Sequence, residues 1–527
     1  MSQIINPEVN VLDYGPKIML KNGSIISPDE IIRYAALGTY KDISFIDELV
    51  EQKKEDPNYF ENISQAINNS TGRGHASMTT SIILFAELKG HCSKFVDSML
   101  TGVRFGSSLM PSGRRIPIQK EQIVISEKIH KNSNAEKLYI QESEKNIQLY
   151  EKLKEKNKNW KQEASKIVQY GLHGGGFMAI SLETIVNLSK DIEDNPFMPN
   201  EGKQILSQLE EFIFNHGMDK TYMARKNAPR TGCINPNIFH NELNDTHTLM
   251  QTNFSDVKEN PVLLNLNYFP CKERDKQINA WIKKRDKLSK NPLNALSNYN
   301  PLLKNLKSII SNFNNSIEAT FITNTPWRVG GEVKRHRTMF QIPESIYKAI
   351  DRAKETVKNM DEVDDLEILK KEYLKIFSIP PFIQKDAGLF KEWIERINNS
   401  IITYERLIKM KVPESEAIAI IPRGLKLGIL KKKDFYNLTL GYDSLRLCQT
   451  AEPEMMQITE QERALLLKQD ISKPIKNLLI PKCGYVNFCP DRYCKKKIIN
   501  RFVPRYNRET HDTIHSQINE KIRGQIS

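Results

Sequence analysis

The chain has few cysteines and no long apolar run. Its seven cysteines among 527 residues are an odd number, which fits a reducing compartment better than a disulfide framework. The longest apolar runs, such as Ile82–Ala86, are far too short to span a bilayer. No N-terminal segment has the apolar core of a signal peptide. We therefore expect a soluble, cytoplasmic protein without a membrane partner.

Two common catalytic motifs are also missing from the sequence. A Gly-x-x-x-x-Gly-Lys phosphate loop does not occur. His173-Gly174-Gly175-Gly176 is similar to the oxyanion segment of some α/β-hydrolases, but no Gly-x-Ser-x-Gly turn supplies the nucleophile. A close approach between backbone segments explains these glycines better than hydrolase chemistry does.

The charge is strongly positive and uneven along the chain. The formal net charge is +13, and residues 481–527 carry ten Lys or Arg against four Asp or Glu. A nucleotide enzyme with a basic tail and a nucleic-acid-binding protein both fit this pattern. The tail also contains Cys483, Cys489 and Cys494, whose wide spacing favours unlinked thiols over a structural zinc site.

The stretch with the most chemical content is Arg335-His336-Arg337, followed by Glu344 and Ser345. Arginine offers a fixed fork of donors for phosphate and carbonyl oxygens, and a serine hydroxyl or a carboxylate can add contacts. A nucleotide or dinucleotide site is one interpretation, and a solvated basic turn is the other. About a hundred residues later the sequence has Leu445-Arg446-Leu447, then Ala451 and Glu454.

Together these two motifs resemble the flavin-dependent thymidylate synthases, over roughly residues 300–470. The resemblance implies an α+β fold with an antiparallel sheet flanked by helices. It also implies that FAD, dUMP, methylenetetrahydrofolate and NADPH bind, and that dUMP is methylated reductively to dTMP. Pro343 falls in the family's Asn-Glu position, and Tyr347 stands where the family has a nucleotide-binding Arg.

The first part of the chain contains a second, partial copy of the same signature. If Ser112 matches Ser345, then Arg104 matches Arg337 and Arg114 takes the family's closing Arg position. We therefore predict two tandem copies, at residues 1–235 and 236–480, followed by the basic tail at 481–527. Within the copies, residues 135–170 and 350–410 have helical spacing with interleaved charge.

The resemblance assigns roles residue by residue. It implies that Arg446 is catalytic, because it would hold the uracil ring polarised, and that no metal takes part. It assigns FAD to Arg335, His336, Arg337 and His75. It assigns dUMP to Ser112, Arg114, Arg104, Glu344, Ser345 and Arg446.

The family builds its sites where subunits of a tetramer meet. We therefore expect a homodimer that mimics such a tetramer, with a nucleotide pocket that combines the two copies. Two alternatives stay open: a flavoprotein of the same fold with altered or lost methylation, and a nucleic-acid-binding relative with a basic tail.

Overall fold

The computed structural model describes most of the chain. The described residues are 3–38, 45–101, 106–110, 116–193, 195–228, 237–240, 245–257, 261–288, 299–333, 336, 338–448, 451–485 and 516. Within these ranges, no helix combines the length and the apolar character needed to cross a membrane.

The strands form two larger sheets and two strand pairs. In chain order they are β1 (Gln3–Ile4), β2 (Asn6–Gly15), β3 (Ile18–Met19), β4 (Ile25–Ile26), β5 (Ile83–His91), β6 (Gly106–Leu109), β7 (Val124–Ile125), β8 (Gly176–Ser181), β9 (Val262–Tyr268), β10 (Ile317–Pro326), β11 (Phe340–Pro343) and β12 (Lys426–Asp434). One four-stranded sheet has the order β2-β5-β8-β6, and the other has the order β9-β10-β12-β11. In each sheet the strand that comes last in the chain therefore lies between the second and the third.

Most of the described chain is helical. The α-helices are Pro28–Gly38, Phe45–Glu55, Tyr59–Ser70, Ser77–Ser81, Val96–Thr101, Glu127–His130, Ser133–Lys156, Lys161–Ala164, Leu182–Glu193, Asn200–Asn215, Asp219–Lys226, Asp245–Val257, Lys272–Leu288, Tyr299–Asn312, Trp327–Val333, Ile346–Met360, Leu366–Ile376, Pro381–Gln384, Ala387–Lys409, Glu414–Ala417, Phe435–Leu438, Tyr442–Arg446, Pro453–Leu467 and Lys473–Leu478. The predicted mixture of helices and sheets is confirmed.

The chain divides into two compact units. The first unit comprises Met1–Glu242, Pro326–Gly331 and Glu344–Lys426, and the second comprises Leu243–Thr325, Glu332–Pro343 and Leu427–Ser527. The predicted boundary at residue 235 lies near the Glu242–Leu243 division. Residues 344–426, however, pack with the first unit, although the sequence assigned them to the second copy. The predicted copies are defined by a repeat in the sequence, whereas the units are defined by contacts in the structure. The two divisions therefore differ.

In the first unit, the segments 165–171 and 418–424 run antiparallel beside each other, with Gln169 opposite Pro422. Their backbone N–H groups donate from Gly171 to Ala419 (2.8 Å), from Gly424 to Lys166 (2.7 Å), from Tyr170 to Ile421 (3.3 Å) and from Arg423 to Val168 (3.0 Å). A shift of 253 residues (422 minus 169) converts the first bond into the second and the third into the fourth. The junction therefore has local two-fold symmetry.

Two long helices of the first unit pack together beside this junction. Ser133–Lys156 starts with Asn132, whose side chain caps the helix by accepting from the Ala135 N–H. Ala387–Lys409 starts with Asp386, which accepts from two backbone N–H groups of its first turn. At the contact, Asn146 donates to the Ser400 hydroxyl at 3.0 Å, and Lys152 pairs with Glu392 at 2.6 Å. The predicted helix over 135–170 thus ends at Lys156, before the junction.

The glycine cluster serves the first sheet. Gly175 and Gly176 have positive φ angles of 97° and 147°. A Cβ on Gly175 would lie 2.7 Å from the Leu88 carbonyl oxygen, and one on Gly176 would lie 2.6 Å from that of Leu109. Side chains cannot be accommodated at either position. The predicted close backbone approach is therefore confirmed.

The second unit has its own apolar core around the β9–β12 sheet. Trp281, Leu306, Phe321 and Ile475 are among the buried side chains that pack in this core. Cys483 and Tyr485 are also buried, and the Tyr485 hydroxyl donates to the Leu478 carbonyl at 2.8 Å. The first residues of the predicted tail thus belong to this core. Cys489 and Cys494 lie outside the described residues.

Candidate functional site

His336 and Arg446 lie in contact in the second unit. Arg446 Nη2 is 2.8 Å from His336 Nε2, although the two residues are 110 positions apart in the sequence. Arg446 ends the short helix Tyr442–Arg446, which follows β12 through the helix Phe435–Leu438 and a tight turn at Gly441. A Cβ on Gly441 would lie 2.9 Å from the Tyr436 ring, so glycine permits this turn.

The contact determines the protonation of His336. A guanidinium group only donates hydrogen bonds, so His336 Nε2 must accept with its lone pair. Burial, together with the charges of Arg446 and Lys433, lowers the pKa of His336 from 6.5 to about 4. The imidazole is therefore neutral at pH 7, with its proton on Nδ1. In this form it orients the Arg446 fork without repelling it.

The Tyr442 ring contacts both residues of this pair. The His336 ring stands edge-on to the Tyr442 ring, with centroids 4.9 Å apart and an interplanar angle of 89°. The Arg446 guanidinium lies 5.8 Å from the same ring, and the Lys433 ammonium lies 4.6 Å from it. Both cations can interact with the negative face of the π system. The buried Tyr442 hydroxyl donates to the Met455 sulfur at 2.8 Å.

Four buried charges lie next to Tyr442. They are Lys431, Lys433, Asp443 and Glu462, and we call them the charge quartet. Lys433 contacts Asp443 at 2.5 Å and Glu462 at 2.7 Å, and Lys431 contacts Glu462 at 2.5 Å. Burial raises the pKa of Asp443 to about 6, while the two ammonium groups outweigh burial and lower that of Glu462. Sequence analysis missed this quartet, since only the run Lys431–Lys433 hinted at it.

The chain around the signature is held by Asn437, which sequence analysis also missed. Its side-chain amide donates to the Thr338 carbonyl at 3.1 Å and accepts from the Thr338 hydroxyl at 3.0 Å. Asp434 fixes Asn437 in turn by accepting from its amide at 2.8 Å. Thr338 also lines a surface cleft of about 360 Å³, with Glu318, Phe340, Lys432 and Asp434.

Glu344 and Ser345 have structural partners in the first unit. Glu344 is fully buried and forms a two-pronged ion pair with Arg352. Ser345 is the N-cap of the helix Ile346–Met360 and accepts from the Tyr347 N–H at 3.3 Å. Tyr347 is buried and donates to the Phe197 carbonyl at 2.6 Å. The nucleotide roles of Glu344 and Ser345 stay predictions.

The structure describes only some of the other predicted site residues. Arg335, Arg337, Arg104, Ser112 and Arg114 lie outside the described residues, so their roles stay predictions. His75 is exposed in the first unit, just before the helix Ser77–Ser81. Glu454 lies in the first turn of the helix Pro453–Leu467, which is capped by the neighbouring Glu452.

The shift of 253 residues identifies a counterpart of this site earlier in the chain. It brings the helix start Asn200 onto Pro453, and the strand β8 onto residues 429–434 of β12. We call residues 165–215 the first-half segment and residues 418–468 the second-half segment. Arg446 then corresponds to Glu193, which pairs with Lys226 at 2.6 Å. The first-half segment therefore carries the opposite charge at this position.

Comparison with known proteins finds similarity in the part of the chain that contains His336 and Arg446. Residues 302–469 match the family model described as thymidylate synthase complementing protein. Flavin-dependent thymidylate synthases from Pyrococcus furiosus and Pyrococcus horikoshii are 29% and 30% identical to the chain over 118 residues. Each match covers 22% of this chain and 48% of the relative. The chain thus spans about half the length of the curated relatives it matches.

A flavin-dependent thymidylate synthase from Helicobacter pylori, solved with FAD and dUMP, is 11% identical at a TM-score of 0.26. That match covers 42% of this chain and 97% of the solved one, and its TM-score is too low to establish a shared fold. The family-model match includes both His336 and Arg446, and the Pyrococcus relatives are flavin-dependent thymidylate synthases, so this part of the chain is similar to that family.

Proposed function

We propose that the chain is an FAD-dependent thymidylate synthase that methylates dUMP reductively, with methylenetetrahydrofolate and NADPH as co-substrates. The observation that carries this proposal is the contact between Arg446 and the neutral His336. The match of residues 302–469 to the family model supports it. FAD, when bound, supplies the redox chemistry.

The chemistry of this chain's own residues fits that role. Arg446 is half-buried, and His336 accepts from one of its terminal nitrogens, which fixes the direction of the guanidinium. Donors fixed before the substrate arrives stabilise charge that develops on a carbonyl oxygen without a reorganisation cost. Arg446 would thus hold the uracil carbonyl and favour a nucleophilic C5. Arg335 and Arg337, which flank His336, would bind FAD.

A flavoprotein of the same fold with altered nucleotide chemistry is the second candidate, and Tyr347 favours it. At the family's nucleotide-binding Arg position, this chain has a buried tyrosine whose hydroxyl donates to a backbone carbonyl. Tyr347 cannot replace the charge-assisted contact that an arginine makes with phosphate. Under the main proposal, Arg114 or Arg104 supplies that contact.

The flavin content of the purified protein tests the proposal. We expect paired near-ultraviolet and blue absorption bands, and tritium release from dUMP labelled at C5 when the co-substrates are added. The double variant Arg335→Ala/Arg337→Ala should fold without flavin, and Lys334→Ala is the matched control that should retain it. A colourless parent protein that binds RNA would contradict both flavin candidates. A yellow protein without turnover would favour the second candidate.

We propose also that the chain is a tandem duplication that forms a homodimer. The equal strand orders of the two larger sheets support this, as does the two-fold junction at Gln169 and Pro422. Multi-angle light scattering tests the assembly. A mass of two chains is expected, and a stable monomer or a tetramer of full chains would contradict it.

A further inference from the structure

The charge quartet is not needed to build this part of the fold. In the first-half segment, the positions of Lys431, Lys433 and Glu462 are occupied by Met178, Ile180 and Leu209. All three are buried. Met178 and Ile180 lie on strand β8, which corresponds to β12, and Leu209 lies on the helix Asn200–Asn215, which corresponds to the helix Pro453–Leu467. The same strand and helices therefore form with apolar side chains at these three positions, while the half-buried Lys190 occupies the position of Asp443.

The quartet is also a poor means of stabilising the fold. Removing charges from water costs several kcal/mol for each ion, and replacing a buried ion network by apolar residues is often neutral or stabilising. All four side chains are buried, with exposed fractions between 0% and 2%. The quartet therefore calls for an explanation other than stability.

Its contacts lead to the candidate site. Asp443 and Glu462 hold the Lys433 ammonium, which lies 4.6 Å from the centre of the Tyr442 ring. The same ring also contacts His336 and Arg446, and the Lys431 ammonium lies 5.9 Å from its centre. Asp443 also follows Tyr442 directly, so its ion pair fixes the helix that carries Arg446.

We propose that the charge quartet is a positioning device, which holds Tyr442 and through it the His336–Arg446 pair in the orientation that receives the nucleotide. The device rests on the proposed function only where the nucleotide is concerned. The orientation of His336 is a property of the protein alone. The two parts can therefore be tested separately.

The test replaces the quartet with neutral residues, using those of the first-half segment at three positions. The variant Lys431→Met/Lys433→Ile/Asp443→Asn/Glu462→Leu should fold with a Tm close to that of the parent. In the parent, the ¹⁵N resonances of His336, assigned with His336→Gln, should show one neutral tautomer protonated on Nδ1 at pH 7. In the quartet variant they should show a tautomer mixture, and dUMP affinity should fall roughly tenfold. Lys432→Met, in the exposed position of the same strand, is the control and should change neither.

A quartet variant with unchanged His336 resonances would overturn the proposal, whatever its nucleotide affinity. If that variant does not fold, Tyr442→Leu and Tyr442→Phe replace it, because they leave the quartet intact. Tyr442→Leu should disturb the His336 resonances and Tyr442→Phe should preserve them, and equal spectra for the two would overturn the proposal. Failure of the parent to bind dUMP would count against the proposed function alone, since the His336 measurement stands without it.

Discussion

The first-half and second-half segments share a backbone plan and differ in charge. Each has a buried strand that leads into helical structure and then a longer helix, Asn200–Asn215 in one and Pro453–Leu467 in the other. In the second-half segment Arg446 meets His336, whereas in the first-half segment Glu193 meets Lys226. The scaffold is thus compatible with either sign of charge, so site residues must be judged separately from the fold.

The two segments also differ in how the strand is buried. Lys431 and Lys433 project into the second unit with paired carboxylates, where the first unit has Met178 and Ile180. An apolar strand stabilises its sheet directly, while a charged one requires partners at fixed positions. The second-half segment has buried charges that require partners, and these charges lie next to Arg446. It is therefore the better candidate for a nucleotide-binding site.

The largest expected effect comes from giving Arg446 the residue of its counterpart. Arg446→Ala should weaken dUMP binding by roughly ten- to hundredfold, because a charge-assisted hydrogen bond contributes about 1.5–3 kcal/mol. Arg446→Glu should weaken it further through repulsion of the phosphate and the uracil oxygens. Titration calorimetry on FAD-loaded protein measures both. Glu193→Ala is the matched control, and a similar loss in that variant would remove the distinction between the segments.

The second effect concerns the two-fold junction of the first unit. A Cβ on Gly171 would lie 1.7 Å from the Tyr139 hydroxyl oxygen, whereas one on Gly424 would lie 3.0 Å from the Lys166 carbonyl oxygen. Gly171→Ala should therefore lower stability by about 1–3 kcal/mol, as overpacking of a buried site does. Gly424→Ala should cost less. Thermal unfolding followed by circular dichroism ranks the two, and the reverse order would contradict the junction.

At Ser345, a role in capping a helix can be distinguished by experiment from a role in binding the nucleotide. Ser345→Ala should lower stability by about 1 kcal/mol, because the N-cap hydrogen bond to Tyr347 is lost. Ser126→Ala removes a comparable cap at Ile129 and serves as the control. If Ser345 also contacts the nucleotide, dUMP affinity should fall only in Ser345→Ala. Equal affinities in both variants would limit Ser345 to its structural role.

The effect that is absent at pH 7 and develops only in acid is on the pH dependence of stability. In the unfolded chain His336 takes up a proton near pH 6.5, but in the folded protein its pKa is about 4. The folded state therefore loses stability relative to the unfolded state as pH falls from about 6.5 towards about 4. Above that window both states are neutral, and His336 makes no pH-dependent contribution. Urea unfolding across this range should show a shallower acid loss in His336→Gln, and identical slopes would contradict a neutral His336.

Sequence analysis singled out both residues of the central pair but predicted neither their contact nor their surroundings. Two short motifs about a hundred residues apart singled out His336 and Arg446, which the structure brings to 2.8 Å. The quartet was not predictable, since Asp443 and Glu462 follow Lys433 by 10 and 29 residues and neither spacing indicates an ion pair. Nor could sequence spacing show that Glu344, which follows His336 closely in the sequence, forms an ion pair with Arg352.

Domain composition was harder to predict for the same reason. Helical spacing correctly indicates Ala387–Lys409, but which unit that helix joins depends on its contacts. Asn146, Lys152 and their partners in that helix bring it into the first unit. A repeat in the sequence reveals equivalent positions, whereas packing between them is a property of the folded chain.

The central claim is our proposal that the second-half segment contributes Arg446 to a nucleotide site, and that the first-half segment contributes no equivalent residue at Glu193. The most direct measurement is the stoichiometry of dUMP binding to the FAD-loaded full chain, by titration calorimetry. The account predicts one dUMP per chain, with binding strongly weakened in Arg446→Ala and unchanged in Glu193→Ala. Two dUMP molecules per chain, or one whose affinity does not depend on Arg446, would contradict it.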